Sequence, residues 1–418
     1  MSQPRVLVIG GGGREHALAW KLAQEAEILA APGNPGIAAQ GECFSVAAKD
    51  SVGLTTLADR LRPDLVVVGP EDPLVDGLAE HLRTSGHAVF GPGADGAKLE
   101  ASKAHSKAEM AAAGVPTAHF QSFTDAGAAL EFAMSRFDAG RGVAVKASGN
   151  ALGKGVVVCD SLDQAEDAIG AMLVEGELGE AGRTVVVEDR LVGREFSLLT
   201  VVSGEDLVSL PVAQDHKRIF DGDRGPNTGG MGTHSPVSWL EHGWVERAEA
   251  EVVRPILARL RCQGIDYRGV LFSGLLVEDG KPYCLEYNVR FGDPETQTVL
   301  RRVGAGFYEL LHSAATGSPL PEIEVLRQAA CTVVLASAGY PGKVKAGFPI
   351  TIGEMPTGVQ LFHAGTALEA GQIVTKGGRV LGVSAVGSDL AAACAEAYTA
   401  VANIHFEGMQ FRRDIGAS

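Results

Sequence analysis

The feature that most constrains this chain is a set of short apolar runs, unbroken by any polar residue, each ending on glycine. Val6-Leu-Val-Ile9 runs into Gly10-Gly-Gly-Gly13, Leu65-Val-Val-Val68 into Gly69-Pro70, and Val89-Phe90 into Gly91-Pro92. A strand with one wet face alternates apolar and polar residues. A run without alternation is buried on both faces, as parallel strands covered by helices are. Residues 14–25 supply such a cover, with Leu18 and Leu22 four apart beside Ala17, Ala19 and Ala23, and Leu74 to Leu82 reads as another helix. The N-terminal part, residues 1–101, is therefore expected to be a parallel α/β domain.

From residue 102 the pattern changes. A helix over 102–113 stops at Gly114, with Pro116 beyond it. Strands follow in succession: Val143 to Lys146, Gly155 to Val158, Thr184 to Glu188, then Phe196 to Val202 and Leu207 to Val212 around the turn Ser203-Gly-Glu-Asp206. An amphipathic stretch at 242–261 precedes Val270 to Val277 and Tyr283 to Tyr287, joined at Glu278-Asp-Gly280. Consecutive strands with short turns imply a largely antiparallel α+β region. Pro319-Leu-Pro321 reads as a linker, followed by strands at Cys331 to Ala336 and Val380 to Val386 and an Ala-rich helix at 388–403. The expected division is 1–101, 102–324 with a lid at about 117–190, and 325–418, within the two to four domains that 418 residues suggest.

Lys and Arg total 36 against 51 Asp and Glu, a net charge of −15. So acidic a chain is ill suited to general binding of nucleic acid or anionic membrane. Its expected partners are small molecules, held by a few locally placed cations, and it is expected to be a monomer or weak dimer. The six cysteines are scattered without a CxxC pair, which fits free thiols in a reducing compartment. With no signal-like leader and no apolar run of membrane-spanning length, a cytoplasmic location is expected.

Gly10 to Gly13 and Arg14 invite a dinucleotide reading, but neither GxGxxG nor GxGxxA is met, and the second strand ends at Pro32-Gly-Asn34 without an acid. Two readings survive: a phosphate-holding turn at a helix N-terminus, or a tight structural turn. Lys146-Ala-Ser-Gly-Asn-Ala-Leu-Gly-Lys-Gly155 lies between strands and is not a Walker A loop. It reads either as a lid bringing Gly153, Lys154 and Gly155 over phosphates or as a polar hairpin tip. Lys146 closes an apolar strand, and a lysine facing an interior requires an anionic partner. Glu188 and Glu195 bracket a segment that could offer main-chain groups to a purine edge and a carboxylate to a ribose, or simply two solvated acids.

Gln214-Asp-His-Lys-Arg218 and Gly225-Pro-Asn-Thr-Gly-Gly-Met-Gly232 lie close together, the second placing Asn227 and Thr228 among glycines. So glycine-rich a loop is costly to order, which favours close approach of backbone to a ligand. The most informative stretch is Cys284-Leu-Glu-Tyr-Asn-Val-Arg-Phe-Gly-Asp-Pro-Glu-Thr-Gln297. Alternation puts Glu286, Asn288 and Arg290 on one face. A carboxylate and an amide oxygen are hard ligands suited to Mg²⁺ or Mn²⁺ bridging nucleotide phosphates, and Arg290 beside them could neutralise a transferring phosphoryl group.

With these residues in view, the chain resembles the phosphoribosylamine-glycine ligase family of ATP-grasp enzymes. The resemblance rests on Arg290-Phe-Gly-Asp-Pro-Glu-Thr-Gln297 and, in order along the chain, on Gly12-Gly-Arg-Glu-His16, Ala31-Pro-Gly-Asn34, Val68-Gly-Pro-Glu71, Gln214 to Arg218, Gly225 to Gly232, Phe362-His-Ala-Gly-Thr366 and Gly377-Gly-Arg-Val380. It implies a preATP-grasp domain, an ATP-grasp core and a small C-terminal domain. It further implies ATP with Mg²⁺ or Mn²⁺, and ligation of glycine to phosphoribosylamine through glycyl phosphate.

By the same resemblance Lys103 or Lys107, with Lys146, would contact ATP phosphates. Glu188, Asp189, Arg190 and Leu191 would hold adenine, and Glu195 the ribose. Glu286 and Asn288 match the metal ligands. Asp215, Lys217, Asn227 and Arg290 would meet the γ-phosphate and the other substrates, with Thr228, Gly292 and Asp293 beside them. Gly11, Gly12, Gly13, Arg14, Glu15 and Glu71 would face the phosphoribosylamine. The family reads Lys-Ala-Asp-Gly-Leu at 146–150, where this chain has Ser148 and Asn150. A ligase using another carboxylate and a non-catalytic nucleotide sensor are the alternatives.

Overall fold

A computed structural model describes residues 3–151 and 155–417. The N-terminal sheet has five strands in the order Gly41–Cys43, Glu27–Pro32, Arg5–Gly10, Leu65–Val68, Val89–Phe90, all parallel. The unbroken apolar runs are explained by burial on both faces. Leu7 and Ile9 pack in one core with Leu57 and Leu74, whereas Val6 and Val8 pack in another with Leu18 and Phe307. Chain order reverses between Arg5–Gly10 and Leu65–Val68, and in open α/β sheets the carboxyl ends of strands at such a switch point form the crevice where ligands bind. The helix expected over Leu74 to Leu82 is two pieces, Glu71–Val75 and Leu78–Thr84, because Gly77 between them is left-handed (φ 81°).

Two antiparallel four-stranded sheets build the middle of the chain. One, in the order Phe120–Phe123, Val185–Asp189, Val143–Ala147, Val156–Cys159, surrounds its own core of Val143, Val145, Ala165, Met172, Val185 and Val187. The other runs Asp206–Ser209, Arg194–Ser203, Arg268–Glu278, Lys281–Asn288, with turns at Ser203 to Asp206 and Glu278 to Lys281 as expected. The amphipathic stretch is Trp244–Ala248, a wide π turn Glu249–Val253, and Arg254–Cys262. Pro255 explains the wide turn, since it has no N–H to donate back along the helix.

The C-terminal sheet is not built from the C-terminal sequence alone. Its five strands are Gln214–Asp215, Gly232–Ser235, Ala329–Ala336, Arg379–Gly387 and Gln360–His363, so two come from the middle of the chain. Helix Leu390–Val401, capped by Asp389 on the Ala392 N–H at 2.8 Å, covers this sheet through Ala393, Ala397 and Ala400. Asp215 is thereby anchored to the C-terminal part of the fold.

Candidate active site

The crevice of the parallel sheet begins at Gly10 to Gly13. Glu15, one turn into helix Gly13–Leu22, accepts the Gly12 N–H at 2.6 Å and the Arg14 Nε at 2.6 Å. A side chain at Gly10 or Gly69 would collide with that carboxylate, and one at Gly11 with the Gly33 carbonyl. The glycines thus have a packing reason of their own: they let the turn close over Glu15. Asn34 caps helix Pro35–Ala38 through the Gly36 and Ile37 N–H groups, and its amide donates to the Gly11 and His363 carbonyls. His16 Nδ1 accepts the His363 N–H at 2.8 Å, so two of the motifs meet where the C-terminal part docks on this turn.

From the turn a chain of charges leads across the molecule. Glu71, at the carboxyl end of the neighbouring strand, lies 4.0 Å from Arg14 Nη1 and 3.5 Å from Arg290 Nε. Burial alone would raise its pKa, but Arg290 and Arg14 outweigh that and lower it. Arg290 donates to Glu100 at 2.8 Å and to Asn288 Oδ1 at 3.3 Å. Glu100 Oε2 also accepts the Val289 N–H at 2.7 Å, which fixes the backbone beside the guanidinium. Burial lifts the Glu100 pKa, whereas Arg290 is held fully charged because its carboxylate neighbours outweigh the desolvation it suffers.

Arg290 lies just past strand Lys281–Asn288, and the strand carries a bulge that alternation does not reveal. Glu286 pairs with Gly274 and Cys284 with Leu275, which leaves Leu285 unpaired. The extra residue changes the phase: Cys284 and Tyr287 both enter the core, and Glu286 and Asn288 are turned away from it. Glu286 is surrounded by Lys217, Lys103 and Lys146, which keep it ionised against the desolvation that would neutralise it.

Lys146 and Lys107 share one acid. Glu188 lies 2.5 Å from each ammonium, through Oε1 to Lys146 and Oε2 to Lys107, and all three are buried. Burial would neutralise Glu188, but the two lysines hold its pKa down. Lys107, also bonded to Thr117 Oγ1, is pushed down chiefly by its own burial. Lys217 pairs with Glu195 at 2.8 Å and neighbours Asp215. Asp215 Oδ1 is buried without a hydrogen-bond partner among the described residues, and its pKa lies well above the usual range through burial and the nearby Glu295.

Family models match three consecutive parts of the chain: the phosphoribosylglycinamide synthetase N domain over residues 4–100, its ATP-grasp (A) domain over 101–296 and its C domain over 330–418. The chain belongs to the phosphoribosylglycinamide synthetase family. It is 45% identical to the phosphoribosylamine–glycine ligase of Nostoc sp., covering 99% of both chains, and 42% identical to that of Rhizobium meliloti, covering 99% of this chain and 98% of the relative. The crystal structure of the Thermotoga maritima phosphoribosylamine–glycine ligase superposes with a TM-score of 0.86 at 34% identity, over 98% of this chain and all of that one. A biotin carboxylase from Campylobacter jejuni shares the fold at 15% identity (TM-score 0.75), with 99% of this chain and 94% of that one covered. The three-part architecture, a parallel N-terminal sheet followed by ATP-grasp and C-terminal domains, is that of the synthetase family.

Within this synthetase the charged chain gathers Arg14, Glu15, Glu71, Lys103, Lys107, Lys146, Glu188, Glu195, Asp215, Lys217, Glu286, Asn288 and Arg290. Other expected residues have different occupations. Both Asp189 oxygens are taken by Arg136 at 2.6 and 2.8 Å, and Arg190 pairs with Asp160. The Thr228 hydroxyl donates to the Lys217 carbonyl and accepts the Gly230 N–H. Asp293 is held by Arg379 at 2.9 Å and Gln297 at 2.7 Å, and Gly292 leaves room for the Glu295 carboxylate. Gly153 and Lys154 lie outside the described residues; Gly155 is buried, its carbonyl accepting the Ala147 N–H. Leu191 follows in the connection to strand Arg194–Ser203, and Asn227 ends strand Arg224–Asn227.

Ser148 also has a defined place. Its hydroxyl accepts the Ala104 N–H at 3.1 Å and lies 3.0 Å from Ser102 Oγ, so it helps to cap helix Lys103–Ala113, which carries Lys103 and Lys107. Sequence reasoning missed Glu100, Glu295 and Arg379 as parts of the site. Glu295 and Arg379 stand inside motifs that were visible; Glu100 stands in none.

Proposed function

We propose that this chain joins glycine to 5-phospho-β-D-ribosylamine through an acyl phosphate held along the charged chain just described. The overall reaction is that of its family: ATP-dependent formation of glycinamide ribonucleotide, a carbon–nitrogen ligation of purine biosynthesis. The glycine carboxylate oxygen bonds to the γ-phosphorus as its bond to the ADP oxygen breaks. The ribosylamine nitrogen then attacks the acyl carbon, phosphate leaves and the nitrogen loses a proton.

The observation that carries this reading is the position of Arg290. One guanidinium reaches Glu71 at the crevice of the parallel sheet and Asn288 on the ATP-grasp face. A phosphoribosylamine in that crevice and a γ-phosphate at that face would meet at the same cation, where fixed positive charge stabilises the transferring phosphoryl group. Asp215 is assigned to the glycine ammonium, because its buried Oδ1 lacks a partner among the described residues and a second carboxyl, Glu295, stands beside it, so that a bound cation would favour ionisation of the pair. Lys146 and Lys107 are assigned to ATP phosphates, which would draw them from Glu188. The Glu188 and Asp189 side chains are paired, and the Asp189 and Arg190 N–H groups donate to the His119 and Gly142 carbonyls, so we assign the end of the segment, the main chain at Leu191, to adenine, and Glu195 to the ribose.

A divalent cation fits the remaining donors. Glu286 and Asn288 offer one carboxylate and one amide oxygen, and no group of three His, Cys, Asp or Glu suited to an ion exists among the described residues. Such a pair suits a cation that takes its other ligands from phosphates, and Mg²⁺ or Mn²⁺ held there would neutralise nucleotide charge. The net charge of −15 favours small-molecule partners over nucleic acid, and no helix among the described residues is long and apolar enough to cross a membrane. We place the chain in the cytoplasm, as a monomer or weak dimer.

The test is ADP release from Mg²⁺-ATP with glycine and phosphoribosylamine omitted in turn, the amine formed in place from ribose 5-phosphate and ammonia. Release that needs both, matched by equal glycinamide ribonucleotide, is expected. ATP binding without any release would refute the proposal in favour of a nucleotide sensor.

A further inference from the structure

Strands Arg218–Phe220 and Arg224–Asn227 form a hairpin with Lys217 at its entrance and Asn227 at its exit. A two-stranded ribbon is marginal on its own, and this one turns through Gly222 and a left-handed Asp223 (φ 51°). The C-terminal segment supplies what the ribbon lacks. Arg412, only 1% exposed, bonds the Asp223 carboxylate at 2.6 Å and the Arg218 carbonyl at 3.1 Å. Its other nitrogens grip both oxygens of Asp414 at 2.7 and 2.6 Å.

Asp414 in turn accepts the Gly222 N–H at 2.8 Å, and Asp221 accepts the Arg413 N–H at 2.7 Å. Gly416 N–H donates to His216 Nε2 at 3.3 Å, next to Lys217. Tyr398 receives the Ile415 N–H and donates to the Arg412 carbonyl, which fastens the segment to helix Leu390–Val401. An arginine is almost never fully buried unless paired. Here the paired guanidinium joins residues 189 apart in the chain.

We propose that Arg412 and Asp414 are positioning residues, and that the C-terminal segment clamps the 218–227 hairpin so that Lys217 and Asn227 stand ready for glycine. Without the clamp, glycine itself must order the hairpin, and that ordering is subtracted from its affinity. The phosphate contacts Lys107, Lys146 and Glu188 lie on other elements, and the hairpin meets the nucleotide site only through Lys217, which pairs with Glu195 and faces Glu286. This inference rests on the proposed role of Lys217 and Asn227 in the substrate site.

The test uses Asp414→Asn and Asp223→Asn, singly and together, in the full chain. Asp223 is 71% exposed and asparagine tolerates its left-handed backbone, so that variant folds. Loss of charged hydrogen bonds from the clamp should raise the KM for glycine about tenfold in the double variant. The dissociation constant for Mg²⁺-ATP should rise far less than the glycine KM, and the melting temperature of Asp223→Asn should stay unchanged. An unchanged glycine KM in both folded single variants, or ATP binding weakened in proportion, overturns the clamp. Asn227→Ala separates the two layers. If it leaves the glycine KM unchanged, the substrate reading of the hairpin fails and the clamp with it; if it raises KM while the clamp variants do not, the clamp alone fails.

Discussion

Glu100→Gln isolates the support of Arg290 with almost no change of shape. The carboxylate makes two bonds, Oε2 to the Val289 N–H at 2.7 Å and Oε1 to Arg290 Nη2 at 2.8 Å. A glutamine has a single acceptor oxygen. Whichever way its amide turns, one of the two donors loses its partner and faces an NH₂ group instead. If the backbone bond is kept, Arg290 loses a charged hydrogen bond, worth about 1.5–3 kcal/mol, and remains tied to Glu71, Asn288 and the Phe291 carbonyl only by contacts of 3.3–3.5 Å. Were that energy realised in the transition state, turnover would fall roughly 10- to 100-fold. Stability should fall as well, because a buried donor is left unpaired, but the loss is offset in part because burial already disfavours the Glu100 charge. The assay is steady-state ADP release with each substrate varied in turn, beside a thermal melt. A kcat/KM for all substrates within about threefold of the parent, in a folded variant, would refute the claim that Glu100 aims Arg290.

Asp215→Asn should raise the melting temperature, since it replaces a buried carboxyl whose ionisation burial and Glu295 oppose, while raising the glycine KM roughly 10- to 100-fold; a stabilised variant with normal glycine affinity would exclude Asp215 as the ammonium site. Ser148→Ala should cost about 1 kcal/mol of stability and weaken ATP binding, because it removes one of the two hydroxyls capping the helix that carries Lys103 and Lys107, whereas Ser148→Asp should keep both; equal melting curves for the two would contradict the capping role. Burial holds His16 at about 3 and His216, His234 and His363 at about 4, with His363 adding to the effect on His16, Arg412 to that on His216, and His216 to that on His234. These rings are neutral in the fold and charge in the unfolded chain below about 6.5, so their contribution is intact above that pH and lost as pH falls toward 4, by about 1.4 kcal/mol per pH unit for each. Urea midpoints at pH 7, 6 and 5 should fall in that order, and an unchanged midpoint would show that these histidines are not held neutral.

The sequence by itself determined what depends on neighbours along the chain. Val6 to Ile9 and Leu65 to Val68 are apolar throughout because both their faces are covered, so they announce a parallel sheet without reference to what covers them. Turns at Ser203 to Asp206 and Glu278 to Lys281 and the stop at Gly114 are likewise local in origin, and so is the proposal of Glu286 and Asn288 as a hard-ligand pair. Lys146 at the end of an apolar strand even announced an acid, though not which one.

Tertiary structure decided the partners. Glu188 proved to hold two lysines, Lys107 and Lys146, that come from different elements. Glu100 reached Arg290 from a helix 190 residues earlier, and nothing in the residues around Glu100 distinguishes it from a solvated acid. The bulge at Leu285 reset which residues share a face, since register is chosen by both strands and by the core they cover. Strands Gln214–Asp215 and Gly232–Ser235 joined the C-terminal sheet through pairing of Gly232–Ser235 with Ala329–Ala336, strands far apart in the chain. Periodicity and turn chemistry act over a few residues and are written in the order of the chain. Charges meet only once packing has brought distant elements together, and that packing is a property of the whole fold.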